Sequence, residues 1–125
     1  MNLNYKLSKS DDTHPWLILI HGLFGNADNL AGIKRHFESS YNIVSFDLPD
    51  HGESPWTDGF NVKEAAEAIS NILKTLNISK TAVLGHSLGG KVAMALALNH
   101  PHLVSHLIVA DIAPVSYQHS HQAVF

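Results

Sequence analysis

Ser87 stands in the stretch VLGHSLGGKVAM, residues 83–94, two residues after Gly85 and two before Gly89. An apolar run precedes it and a longer one follows. A chain that turns from strand to helix within one residue is strained there and crowds its neighbours, so glycine is favoured on either side. The hydroxyl at such a turn stands clear of the sheet. It faces the first N–H groups of a helix, which have no helical partner and can stabilise a developing negative oxygen. This is the layout of a G-x-S-x-G nucleophile elbow, with Ser87 as nucleophile and the Leu88 N–H as an oxyanion donor. A serine that caps a helix in a glycine-rich turn is the competing reading. A strand before the motif and a helix after it favour the nucleophile.

Three further polar clusters follow apolar runs. In HGLFG, residues 21–25, Gly22 lets the backbone approach closely, which makes the N–H of Leu23, or failing that Phe24, the expected second oxyanion donor. His21 itself reads as a structural histidine. In DLPDHGES, residues 47–54, Asp47 closes a strand, and Asp50, Gly52 and Ser54 are turn residues, so the stretch reads as a structural wall of the site. The fourth cluster is ADIAP, residues 110–114. Its Asp111 ends an apolar run and follows Ser87 in chain order, as the carboxylate of a Ser…Asp…His sequence would. An Asx turn or cap ahead of Pro114 is the alternative for Asp111.

Elements that could bring these clusters together are legible in the hydrophobic pattern. WLILI (16–20), NIVSF (42–46), TAVL (81–84) and HLIVA (106–110) are continuous apolar runs, as expected of strands covered on both faces of a parallel sheet. An additional strand is expected near Asn4 to Leu7. Between the runs, Leu30, Ile33 and Phe37 recur at helical spacing, as do Val62, Ala66, Ile69, Leu73 and Leu76, with Lys63, Glu64, Glu67 and Lys74 off that stripe. From Leu88 to about His100 the pattern is apolar all round, which predicts a helix buried on most sides and stopped by Pro101. Strand and helix alternate, so the predicted class is α/β, a mostly parallel sheet with flanking helices and right-handed crossovers. Ligands of such sheets gather outside the carboxyl ends of the strands, where all four clusters fall.

Composition narrows the field. The 125 residues are 45% hydrophobic and 15% charged, as in a globular domain. A formal charge of −3 without a Lys/Arg cluster argues against a nucleic-acid partner. The absence of cysteine excludes disulfides, thiolate metal sites and a cysteine nucleophile. The polar N-terminal stretch has no signal-peptide layout, and no run approaches the ~20 apolar residues of a membrane span, so a cytoplasmic address is expected.

HGLFGNADNL, DLPDHGES, LGHSLGGK and ADIAPVSY together resemble the α/β-hydrolase superfamily, and within it the small bacterial YbfF-like esterases. The resemblance runs from about Trp16 to Tyr117. It implies hydrolysis of small-molecule acyl esters or thioesters through a serine acyl-enzyme, with no metal or organic cofactor. It also implies that the catalytic acid can follow the sixth strand, where Asp111 stands, although most relatives carry it after the seventh.

Measured against that family the chain is short, and the histidine that serves as general base near the family's C-terminus has no counterpart among its ten histidines. His86 rides on the elbow and points away from a productive pose. His119 and His121 follow Asp111 but lie where the family begins its cap, and His100, His102 and His106 read as surface residues. The expectation is therefore residues 1–125 as the N-terminal half of one catalytic domain, inactive alone. The rest of the polypeptide, or another chain, would cover the exposed sheet edge. Two rivals remain: a lyase of the same fold using the serine as base, and a non-catalytic interaction module.

Overall fold

The computed structural model describes residues 3–21, 31–48, 61–86 and 88–110. Eight elements follow in the predicted order: β1 (Asn4–Ser8), β2 (Trp16–Ile20), α1 (Ala31–Phe37), β3 (Asn42–Asp47), α2 (Val62–Thr75), β4 (Thr81–His86), α3 (Leu88–Asn99) and β5 (Val104–Ala110). The five strands form one sheet in the order β1-β3-β2-β4-β5. Strands β3, β2, β4 and β5 run parallel, and β1 pairs antiparallel with β3 at the edge. The expected fold class holds.

Alternation along WLILI explains why the run is continuous. Ile18 and Ile20 join Val44, Phe46 and Val83 beneath α2 and α3, meeting Ala66, Ile69, Leu73, Val92 and Leu96. Leu17 and Leu19 face the other way, with Ile43 and Leu84, against Ile33 and Phe37 of α1. Every residue of β3 is buried. A strand covered on both faces has no position at which a polar side chain is free of cost, so the period-two signal disappears.

Local chemistry sets the helix limits. The Asn61 side chain caps α2 by accepting from the Glu64 N–H at 3.0 Å. At the other end Asn77 takes a left-handed conformation with φ 62°. The Ile78 N–H reaches the Leu73 carbonyl at 2.8 Å and the Asn77 N–H the Lys74 carbonyl at 3.1 Å, a Schellman closure that drops Ile78 into the core. Ahead of β2, the buried Asn42 side chain holds the turn from β1. Its Oδ1 accepts from the Ser10 and Asp11 N–H groups, and its Nδ2 donates to the Asp11 and His14 carbonyls.

Helix α3 departs from expectation. It buries Gly89, Gly90, Val92, Ala93 and Leu96, but Lys91, Met94 and Leu98 face outward, Leu98 with 80% exposure. A helix in an outer layer buries only the sides that meet the sheet and its neighbour, here β4, β5 and α2, whatever its composition. Strand β5 forms an edge of the described sheet, with Ser105, His106 and Ile108 exposed. Among the described residues no helix is long and apolar enough to cross a membrane.

Candidate active site

The parallel register aligns the carboxyl ends of four strands on one rim. Ile20 pairs with Phe46 on one side and Gly85 on the other, Gly85 pairs with Val109, and His86 with Ala110. The chain therefore leaves the sheet at neighbouring points just before four of the polar clusters singled out by sequence. Ser87 and Asp111, and the donor candidates Leu23 and Phe24, lie outside the described residues. Each is flanked by a described strand end: His21 two residues before Leu23, His86 before Ser87, Ala110 before Asp111.

One residue separates β4 from α3, because the strand ends at His86 and the helix begins at Leu88. The glycines record how tightly the chain bends there. A Cβ on Gly85 would fall on the Gly89 carbonyl and within 2.7 Å of the Gly90 Cα. A Cβ on Gly89 would overlap the Ile20 carbonyl oxygen and come within 2.6 Å of that of His21. The end of β4 and the start of α3 are thus in backbone contact, and the helix start also abuts the end of β2. Gly90 has a separate role that the motif did not disclose, since a Cβ there would meet Val109 of β5 at 2.8 Å. Leu88, the first residue of α3, packs its half-buried side chain on the core. Its N–H is one of the first four of the helix, which have no carbonyl partner within it.

His21 and Asp47 close the neighbouring strand ends and are buried. The Leu48 N–H donates to His21 Nε2 at 2.7 Å. Asp47 accepts from Asn4 Nδ2 at 3.1 Å and lies 3.4 Å from His21 Nε2. Since Nε2 accepts, the ring proton belongs on Nδ1 and the imidazole is neutral. Periodicity could not reveal this tie, because its partners are 27 residues apart in the chain. His86 is half-buried, and its Nε2 is a buried atom without a hydrogen-bond partner among the described residues. His100, expected at the surface, is half-buried and pairs with Glu67 at 2.8 Å, while His102 and His106 are exposed. Among the described residues no cluster of three or more His, Asp or Glu could hold a metal ion.

Comparison with known proteins agrees with this architecture. The chain is 32% identical to the esterase YbfF of Escherichia coli over its whole length, covering 50% of that protein. A Haemophilus influenzae protein named as an esterase/lipase is 42% identical over 98% of the chain, which covers 44% of it. A solved marine microorganism esterase superposes with a TM-score of 0.82 at 34% identity, over 94% of this chain and 44% of that one. The chain thus spans about half the length of the curated relatives it matches. The sequence model of the alpha/beta hydrolase fold matches residues 15–124, and the chain belongs to that family.

Proposed function

We propose that the rim belongs to a serine hydrolase that cleaves carboxylic esters or thioesters through an acyl-enzyme. The observation that carries this reading is the one-residue junction between β4 and α3, with Gly85 and Gly89 in backbone contact around it. Such a junction suits a nucleophile, because it lifts one hydroxyl above the rim at the positive end of a helix. The esterase and lipase names of the relatives support the same class of substrate.

In the proposed course Ser87 Oγ attacks the acyl carbonyl carbon as its proton passes to a histidine. That histidine is assigned to sequence outside these 125 residues, and Asp111 is the carboxylate proposed to orient it. The N–H groups of Leu88 and Leu23, or Phe24 in place of Leu23, hold the tetrahedral oxyanion. Each such donor contributes about 2.7–4 kcal/mol of transition-state stabilisation. The leaving alcohol or thiol takes the proton, and water then releases the acid and restores the hydroxyl. No step calls for a metal or organic cofactor.

The test is Ser87→Ala in the protein at its native length. Turnover of p-nitrophenyl acetate and covalent labelling by a fluorophosphonate should both disappear. Retention of either overturns the assignment of Ser87.

A further inference from the structure

We propose that His21 is a positioning residue of this rim, a neutral imidazole that fastens the end of β2 to the end of β3 while its own backbone braces the start of α3. The inference rests on the serine-hydrolase reading and extends it to a residue that the elbow motif does not contain.

Three observations converge on His21. Its side chain is wholly buried, which for an imidazole is tolerable only when its nitrogens are satisfied. Its Nε2 takes the Leu48 N–H at 2.7 Å, at the point where β3 ends and the backbone N–H has left the sheet ladder. Its carbonyl oxygen, with that of Ile20, lies within 2.6 Å of where a Cβ on Gly89 would stand, so the end of β2 and the first turn of α3 are in close backbone approach at this residue. His21 therefore stands where three elements meet. The Leu88 N–H leads one of them, and the chain that continues into Gly22 and Leu23 leaves another. The two proposed oxyanion donors belong to different elements, so their separation depends on how those elements are spaced. A misplacement of about 1 Å at a reacting centre costs on the order of 100-fold in rate.

A histidine retained only to fill volume would be replaceable by an apolar residue of similar size. A histidine retained for its acceptor would be replaceable by glutamine, whose amide oxygen can take the Leu48 N–H, and not by leucine. The experiment compares His21→Leu and His21→Gln with wild type, in the protein at its native length, by p-nitrophenyl acetate kinetics and fluorophosphonate labelling. His21→Leu should lower kcat by about 10- to 100-fold with KM within about threefold, the pattern of an interaction felt in the transition state. His21→Gln should recover most of that loss. Unchanged kcat in a folded His21→Leu protein overturns the proposal, as does a glutamine variant no better than the leucine one.

Should the leucine variant fail to fold, nitrogen NMR of the wild-type imidazole decides. Nε2 unprotonated and Nδ1 protonated supports the tie to Leu48, and a protonated Nε2 overturns it. Wild-type protein that resists the fluorophosphonate counts against the hydrolase reading, and the NMR result then still decides whether the tie exists. Labelled wild type with an unaffected leucine variant counts against the role of His21 alone.

Discussion

Replacing Gly89 by alanine puts the backbone account of the elbow at risk with a single methyl group. The added carbon would overlap the Ile20 carbonyl oxygen and sit 2.6 Å from the His21 carbonyl oxygen and 2.8 Å from the Ile20 carbonyl carbon. All three are backbone atoms in or beside a central strand, so no flexible side-chain end can swing away. Restoring the His21 contact alone from 2.6 Å to an ordinary 3.4 Å requires ~0.8 Å of movement, and the Ile20 contact demands more. Overpacking of this kind costs about 1–3 kcal/mol, and an obstruction made wholly of backbone places Gly89→Ala at the upper end, about 3 kcal/mol. Urea unfolding followed by circular dichroism should show the midpoint fall with an unchanged slope. Fluorophosphonate labelling of the protein at its native length should slow by on the order of 100-fold, as the helix start is driven off the rim. Gly32→Ala in α1 is the matched control. An added Cβ there meets nothing within 4 Å, so the same substitution should stabilise by about 0.5 kcal/mol through a stiffer unfolded chain. Stabilities within 0.5 kcal/mol of one another for the two variants would refute the close approach of α3 to β2, and with it the geometric case for the elbow.

Two further outcomes test what surrounds the site. Asn42→Ala removes the partner of the Ser10 and Asp11 N–H groups and of the Asp11 and His14 carbonyls at a position only 1% exposed. It should cost about 3 kcal/mol in urea unfolding, and a cost below about 1 kcal/mol would count against the network. Asp11 accepts from the Thr13 N–H at 2.8 Å and the Thr13 hydroxyl at 2.7 Å, and these bonds hold its pKa below the ordinary aspartate value. A depressed carboxyl pKa means that its small stabilising contribution is present above the unfolded value and is lost as pH falls through the folded one. Thr13→Val keeps the backbone bond and removes the hydroxyl, so the Asp11 titration followed by carbon NMR should move upward. No movement would exclude the hydroxyl as a cause.

The elements of this chain were readable without coordinates because burial writes itself into residue type. Both faces of WLILI and NIVSF are covered, so the runs had to be apolar throughout. The α2 stripe recurs at three and four because one side of that helix meets the sheet, while the Asn61 side chain that completes its first turn came to light only in the structure. The close approach of β4 and α3 was legible for a similar reason: only glycine fits where two backbones touch, so Gly85 and Gly89 carry a tertiary contact in a five-residue motif.

Relations across the chain were decided by the fold. Sequence gave no reason for β2 to lie between β3 and β4, for β1 to run antiparallel beside β3, or for α3 to turn Met94 and Leu98 outward despite an apolar composition all round. Nor could it pair His21 with the Leu48 N–H, Asp47 with Asn4, or Gly90 with Val109. Residue type reports how buried a position is and how its nearest neighbours along the chain repeat. Which distant group fills the space opposite is fixed only when strands take their order and register, because that is when a hydrogen-bond donor 27 residues away arrives within 2.7 Å of an imidazole nitrogen.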